Sequence, residues 1–183
     1  METGSAHDGE VEGCSASCVS SSSSSSSEKY LVINNISKIQ NIRNLCLVAG
    51  ACNFVVLFVQ PTKNTLEETV RNSFLVSRSL FVRYLVFSTL EEMKTYLVDR
   101  QIPLIGIEIM ETAVSMKEYN YEQEQNGIAF MPGNEGIGLT LKQKNLCSHF
   151  IYIPQFGAGT ASLNVNLATS IILYDYCSRT SSS

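Results

Sequence analysis

Gly127-Ile128-Ala129-Phe130-Met131-Pro132-Gly133-Asn134-Glu135-Gly136-Ile137-Gly138-Leu139 is the stretch that decides the fold. Its companion, Ile153-Pro154-Gln155-Phe156-Gly157-Ala158-Gly159-Thr160-Ala161-Ser162-Leu163-Asn164-Val165, begins twenty residues after Gly133. In each, a strongly apolar run passes straight into glycines and a few polar side chains. That is the signature of a buried strand opening into a ligand-facing loop. In an open α/β sheet ligands gather at the carboxyl ends of strands, because strand ends and helix N-termini expose unpaired backbone groups there.

The flanking sequence alternates strands with helices. Tyr30–Ile33 reads as a short strand. Ser37 followed by Gln40 has capping-box spacing and predicts a helix from Lys38, with Ile39, Ile42, Leu45, Cys46, Val48 and Ala49 on its buried face. Phe54–Val59 is a strand buried on both faces, ended by Pro61. Residues 62–79 read as loop with a short helix, and Leu80–Phe87 as a strand. Thr89 caps a helix through Leu90, Met93, Tyr96 and Leu97 that stops near Gln101. Ile102–Ile109 reads as a strand, Glu111–Asn126 as polar loop, and Gly127–Met131 as a strand with a short helix after Leu139. Phe150–Ile153 is the last strand before a helix from about Ser162 to Cys177. Such alternation predicts an α/β fold, a mostly parallel sheet flanked by helices. The last helix has two apolar stripes, Leu163, Leu167, Ile171 and Tyr174 on one side and Val165, Ala168, Ile172 and Tyr176 on the other. It therefore needs a partner besides its own sheet.

The 183 residues suffice for one domain, expected at 29–178, between a disordered tail at 1–28 and a short disordered tail at 179–183. Residues 1–28 hold five acids, no Lys or Arg, and an unbroken serine run from Ser20 to Ser27. Such a segment cannot bury enough apolar surface to order itself, and it has neither an apolar signal core nor transit-peptide arginines. No apolar run reaches membrane-spanning length. A soluble protein of the cytoplasm or nucleus is expected. With the tail's five acids set aside, twelve acids face thirteen Lys and Arg, so the domain is near +1. That is no dedicated polyanion binder, and any RNA contact must come from a local patch drawn from Lys38, Arg43, Lys63, Arg71, Arg78 and Arg83. Six cysteines without a Cys-x-x-Cys, and only His7 and His149, predict neither metal nor disulfide and argue against Ser-His or Cys-His hydrolysis.

The segments GNEGIGL at 133–139 and IPQFGAGTASLNV at 153–165 resemble the second and third motifs of the SpoU/TrmH family of SPOUT-class RNA methyltransferases. The likeness covers about Tyr30 to Tyr176. It implies a deep trefoil knot near the C-terminus and a homodimer formed through the first and last helices. It further implies transfer of a methyl group from S-adenosylmethionine to a ribose 2′-hydroxyl of tRNA or rRNA. On the same resemblance Gly133, Ile153 and Leu163 contact the cofactor, while Asn41, Glu135, Ser162 and Asn164 fall beside the reacting centre. Bland roles compete with these: N-capping for Ser162, first-turn stabilisation for Glu135, a buried amide for Asn164.

The first motif departs from the family. Counting on from Asn41, the catalytic arginine position is Leu47, and the glycine that closes the motif is Asn53. Arg43, one helical turn before Leu47, is the candidate substitute. The alternative reading is a catalytically impaired RNA-binding or scaffold protein. Pro132 is a smaller departure that removes one backbone donor.

Overall fold

The computed structural model describes residues 27–62, 82–157 and 162–180. Residues 20–26 of the serine run, the loop and short helix read at 62–79 beyond residue 62, the first two residues of the strand read at Leu80–Phe87, and Lys63, Arg71 and Arg78 lie outside the described residues, as do Ala158–Ala161. The strands are β1 (Glu28–Ile33), β2 (Val55–Val59), β3 (Tyr84–Phe87), β4 (Leu104–Ile107), β5 (Val114–Ser115), β6 (Gly127–Pro132) and β7 (His149–Tyr152). The helices are α1 (Ile39–Ala51), α2 (Leu90–Asp99), α3 (Leu141–Leu146) and α4 (Val165–Thr180).

One sheet runs β3-β2-β1-β6-β4-β7-β5, and each neighbouring pair is parallel. Strands β2, β4 and β6, and β1 from Tyr30 onward, are apolar at every position because they are covered twice. Side chains alternate across the sheet. Leu31, Ile33, Phe58, Phe130 and Ile151 face one core with Leu45, Ile172, Leu173 and Tyr176 of α1 and α4. Tyr30, Val32, Leu57 and Met131 face the other with Met93 and Leu97 of α2 and Leu139. The expected α/β sheet flanked by helices is therefore present. It brings the carboxyl ends of β1, β6, β4 and β7 together at one edge.

Local signals fared well where cap and helix are neighbours. Thr89 Oγ1 accepts from the Glu92 N–H at 3.0 Å, as its spacing predicts. Ahead of α3, Thr140 and Gln143 form a reciprocal capping box. The box expected at Ser37 and Gln40 does not form. Lys38 is the N-cap and makes no side-chain cap. Ser37 Oγ instead accepts from Asn134 Nδ2, and Gln40 Nε2 donates to Asn44. Nor is Glu111–Asn126 only loop. It carries the edge strand β5 and a 3-10 turn at Tyr121–Gln123, with Met116, Tyr119 and Tyr121 buried in the core.

The last helix begins at Val165 rather than Ser162 and continues to Thr180. Its two stripes part as expected. Val165, Ile172 and Tyr176 are buried, while Leu167 and Tyr174 stay 57% and 72% exposed. Cys46, Cys52, Cys147 and Cys177 are free thiols, and burial pushes Cys46 and Cys147 up to about 12.

Asn53 has a conformational explanation. Its φ is +57°, the left-handed region that glycine enters freely and asparagine tolerates better than most residues. It closes the turn after α1, where its N–H donates to Gly50 O.

Candidate active site

Beyond Pro132 the chain folds back on itself. The Asn134 N–H donates to Gly138 O and the Gly138 N–H to Asn134 O, both at 3.0 Å, so residues 134–138 close a tight loop. Gly133 sits at its neck, where an added Cβ would lie 2.7–2.9 Å from the Gly138 and Leu139 backbone. Only a residue without a side chain fits there. Asn134 anchors the loop. Its Oδ1 accepts from Gly136 N and its Nδ2 donates to Asn35 O at 2.7 Å. Glu108, just past β4, supports the other side. Its Oε2 accepts from Leu139 N at 3.0 Å, and Lys144 Nζ lies 3.6 Å from its Oε1.

Glu135 supplies the cap that α1 lacks in its own sequence. Its Oε2 accepts from Ser37 N at 3.0 Å, and its Oε1 from Lys38 N at 3.1 Å and Asn41 Nδ2 at 2.7 Å. A carboxylate on the N–H groups of the N-cap residue and the one before it fixes the start of the helix and complements the helix dipole. Burial works against the charge of Glu135. The bonds from Asn41 and from the N–H groups of Ser37, of Glu135 itself and of Lys38 outweigh it and hold the carboxyl below the usual glutamate value.

This fixes the hydrogen-bond direction onward. Asn41 must offer its NH2 to a carboxylate, so its carbonyl accepts from Asn166 Nδ2, at 2.7 Å. Asn166 Oδ1 is then buried without a partner among the described residues. Asn164, not Ser162, caps α4, its Oδ1 accepting from Asn166 N at 2.9 Å. One polar chain thus joins the motif loop, α1 and α4.

Between these elements lies a cleft of about 520 Å³. Gly133, Glu135, Ile153, Ser162, Leu163 and Asn164, six of the eight residues singled out from sequence, line it. Asn41 is buried behind it and reaches it through Glu135. Arg43 and Leu47, both half-buried on α1, are not among the lining residues. Lys38, read from sequence only as one cation of a possible RNA-contacting patch, lines the cleft, and sequence reasoning missed Glu108, which also lines it, and the Asn134 and Asn166 amides. Only Asn134 carried a local signal, as part of the Gly-Asn-Glu run. Among the described residues no cluster of three or more His, Cys, Asp or Glu could hold a metal ion.

Residues 28–174 match the SpoU rRNA Methylase family. The chain belongs to that family. Solved SpoU-type structures share its fold. The SpoU methyltransferase AviRb from Streptomyces viridochromogenes, solved with AdoMet, is 19% identical with a TM-score of 0.70, over 85% of this chain and 59% of that one. An AdoMet-bound rRNA methyltransferase from Sinorhizobium meliloti is 19% identical with a TM-score of 0.66, over 84% of this chain and 57% of that one. A structure described as giving insight into 2-OH methylation of C/U34 on tRNA is 18% identical with a TM-score of 0.67, over 86% and 99%. The chain thus spans about three-fifths of the Streptomyces protein's length. No curated protein matches the chain.

Proposed function

We propose that the chain is an S-adenosylmethionine-dependent RNA ribose 2′-O-methyltransferase acting on tRNA or rRNA as a homodimer with a knotted C-terminal path. The observation that carries this is the cleft itself, built by the two glycine-bearing loops in a chain of the SpoU family. Its residues suit the cofactor. The volume is within the usual ligand range of about 300–1,000 Å³. Gly133 lines the cleft at the packed neck of the loop, and Glu108 and Glu135 favour a cationic ligand.

Bound there, S-adenosylmethionine would supply an electrophilic methyl group. Gly133, Ile153 and Leu163 would hold it. Glu135 is poorly suited to take the acceptor's proton. Both its oxygens already accept hydrogen bonds, and a lowered pKa makes a weak base, whereas an effective one titrates near the working pH. Its part is to hold α1 against the loop, with Asn41 completing the clamp. The Ser162 hydroxyl, which makes no hydrogen bond among the described residues, and the Asn164 NH2 are free to position the ribose hydroxyl.

The test is methylation of bulk RNA with labelled S-adenosylmethionine, followed by nuclease digestion and identification of 2′-O-methyl nucleosides. Arg43 does not line the cleft, so Arg43→Ala is expected to keep the wild-type rate within about threefold. A second reading, RNA binding without catalysis, is favoured by Leu47 at the family's arginine position. Methylation that appears only in Leu47→Arg would establish that reading and overturn the enzyme.

The exposed stripe Leu167, Ile171 and Tyr174 supports the dimer. A Leu167→Glu/Tyr174→Glu double variant should run as a monomer in analytical ultracentrifugation while keeping its helical content. An unchanged sedimentation profile would place the interface elsewhere.

A further inference from the structure

Lys38 sits where a lysine is unfavourable for folding. N-cap positions prefer Ser, Thr, Asp or Asn, and a cation there opposes the helix dipole. A residue that conflicts with its local structure points to function. Glu135 has taken over the capping, and the Lys38 side chain takes no part in it. It is exposed, lines the cleft, and forms no ion pair among the described residues. It is also the only Lys or Arg among the lining residues, which include the acids Glu108 and Glu135. Lys144 is held at Glu108. An acidic cleft repels a polyanion unless a cation meets it at the mouth.

We infer that Lys38 is the RNA-positioning residue of the cleft, taking the backbone phosphate beside the acceptor ribose. This rests on the methyltransferase reading. The Lys38 N–H on Glu135 fixes the backbone of the lysine relative to the motif loop, so the phosphate it holds stays within side-chain reach of that loop. A lysine serves here as a compact point charge on a flexible stem, suited to a phosphate rather than to a specific base.

The experiment compares wild type, Lys38→Met and Lys38→Arg for binding to bulk tRNA across a salt series, with S-adenosylmethionine affinity measured by calorimetry. Met should weaken tRNA binding about tenfold or more and reduce the slope of log affinity against log salt by about 1. Arg should restore both, and cofactor affinity and melting temperature should stay at wild-type values. If the protein methylates RNA, Met should raise KM for RNA and leave KM for S-adenosylmethionine alone. A solvated lysine without this role would leave the salt slope of Lys38→Met unchanged, and that result overturns the inference. So does a wild-type protein that binds no tRNA. A slope that falls in a protein that binds no S-adenosylmethionine would uphold the Lys38 contact while removing the methyltransferase reading.

Discussion

Replacing Glu135 with alanine should cost about 2–3 kcal/mol of stability and lower methyl transfer at least a hundredfold. The substitution removes the acceptor for three donors, Ser37 N, Lys38 N and Asn41 Nδ2. The two N–H groups are exposed enough to turn to water, so their loss resembles loss of an ordinary N-cap, about 0.5–2 kcal/mol. Asn41 is buried and cannot do so, and a stranded buried donor adds about 1–3 kcal/mol. Methyl transfer suffers further because α1 is released from the loop that lines the cleft. Glutamine should rescue little, since its NH2 would face N–H donors.

The sign of the pH dependence follows from the lowered pKa. The folded state keeps Glu135 ionised at pH values where the unfolded chain has taken up its proton. Its contribution is present above the ordinary glutamate value near 4.5 and is lost as pH falls through the lower folded value. Chemical unfolding of wild type should show this acid loss, and Glu135→Gln should show correspondingly less of it. Equal acid slopes in the two proteins would mean that Glu135 is not held as described.

Gly133→Ala should reduce S-adenosylmethionine affinity by about a hundredfold or more, with an overpacking cost of about 1–3 kcal/mol. The new methyl would meet backbone, not a movable side chain, within 2.7–2.9 Å at Gly138 and Leu139. The neck must open, and the Asn134–Gly138 bridge that shapes the loop must shift with it. Gly136→Ala is the matched control. Its Cβ would meet only Asn134 Oδ1, at 3.6 Å, and affinity should change little. Calorimetry on both variants decides the matter, and equal losses would mean that the loop tolerates no added bulk anywhere.

What could be read from the chain was whatever lay close together in it. The glycine loops follow directly on apolar strands, and Thr89 lies three residues from the N–H it caps. The two stripes of α4 are set by helical spacing alone. What escaped depends on partners far apart. Ser37 and Gln40 had the right spacing for a cap, but Glu135, 97 residues beyond Lys38, binds those N–H groups instead. Tyr119 and Tyr121 lie in a polar stretch with no strand or helix period, so their burial left no pattern to find. The Asn41–Asn166 bond spans 125 residues, and nothing near Asn41 in the chain points to Asn166 as its partner. The departures in the first motif also proved unequal. Asn53 keeps the backbone conformation of a glycine, whereas Leu47 supplies no charge.

The sheet order has a consequence for the timing of assembly. β6 lies between β1 and β4, yet it leaves the ribosome after both. Until it inserts, β1 and β4 have no common neighbour and the α1 N-terminus has no carboxylate. The last helix, which supplies Asn164 and Asn166, follows later still. A growing chain therefore cannot close the cleft until β6, the loop after it and the last helix have all emerged.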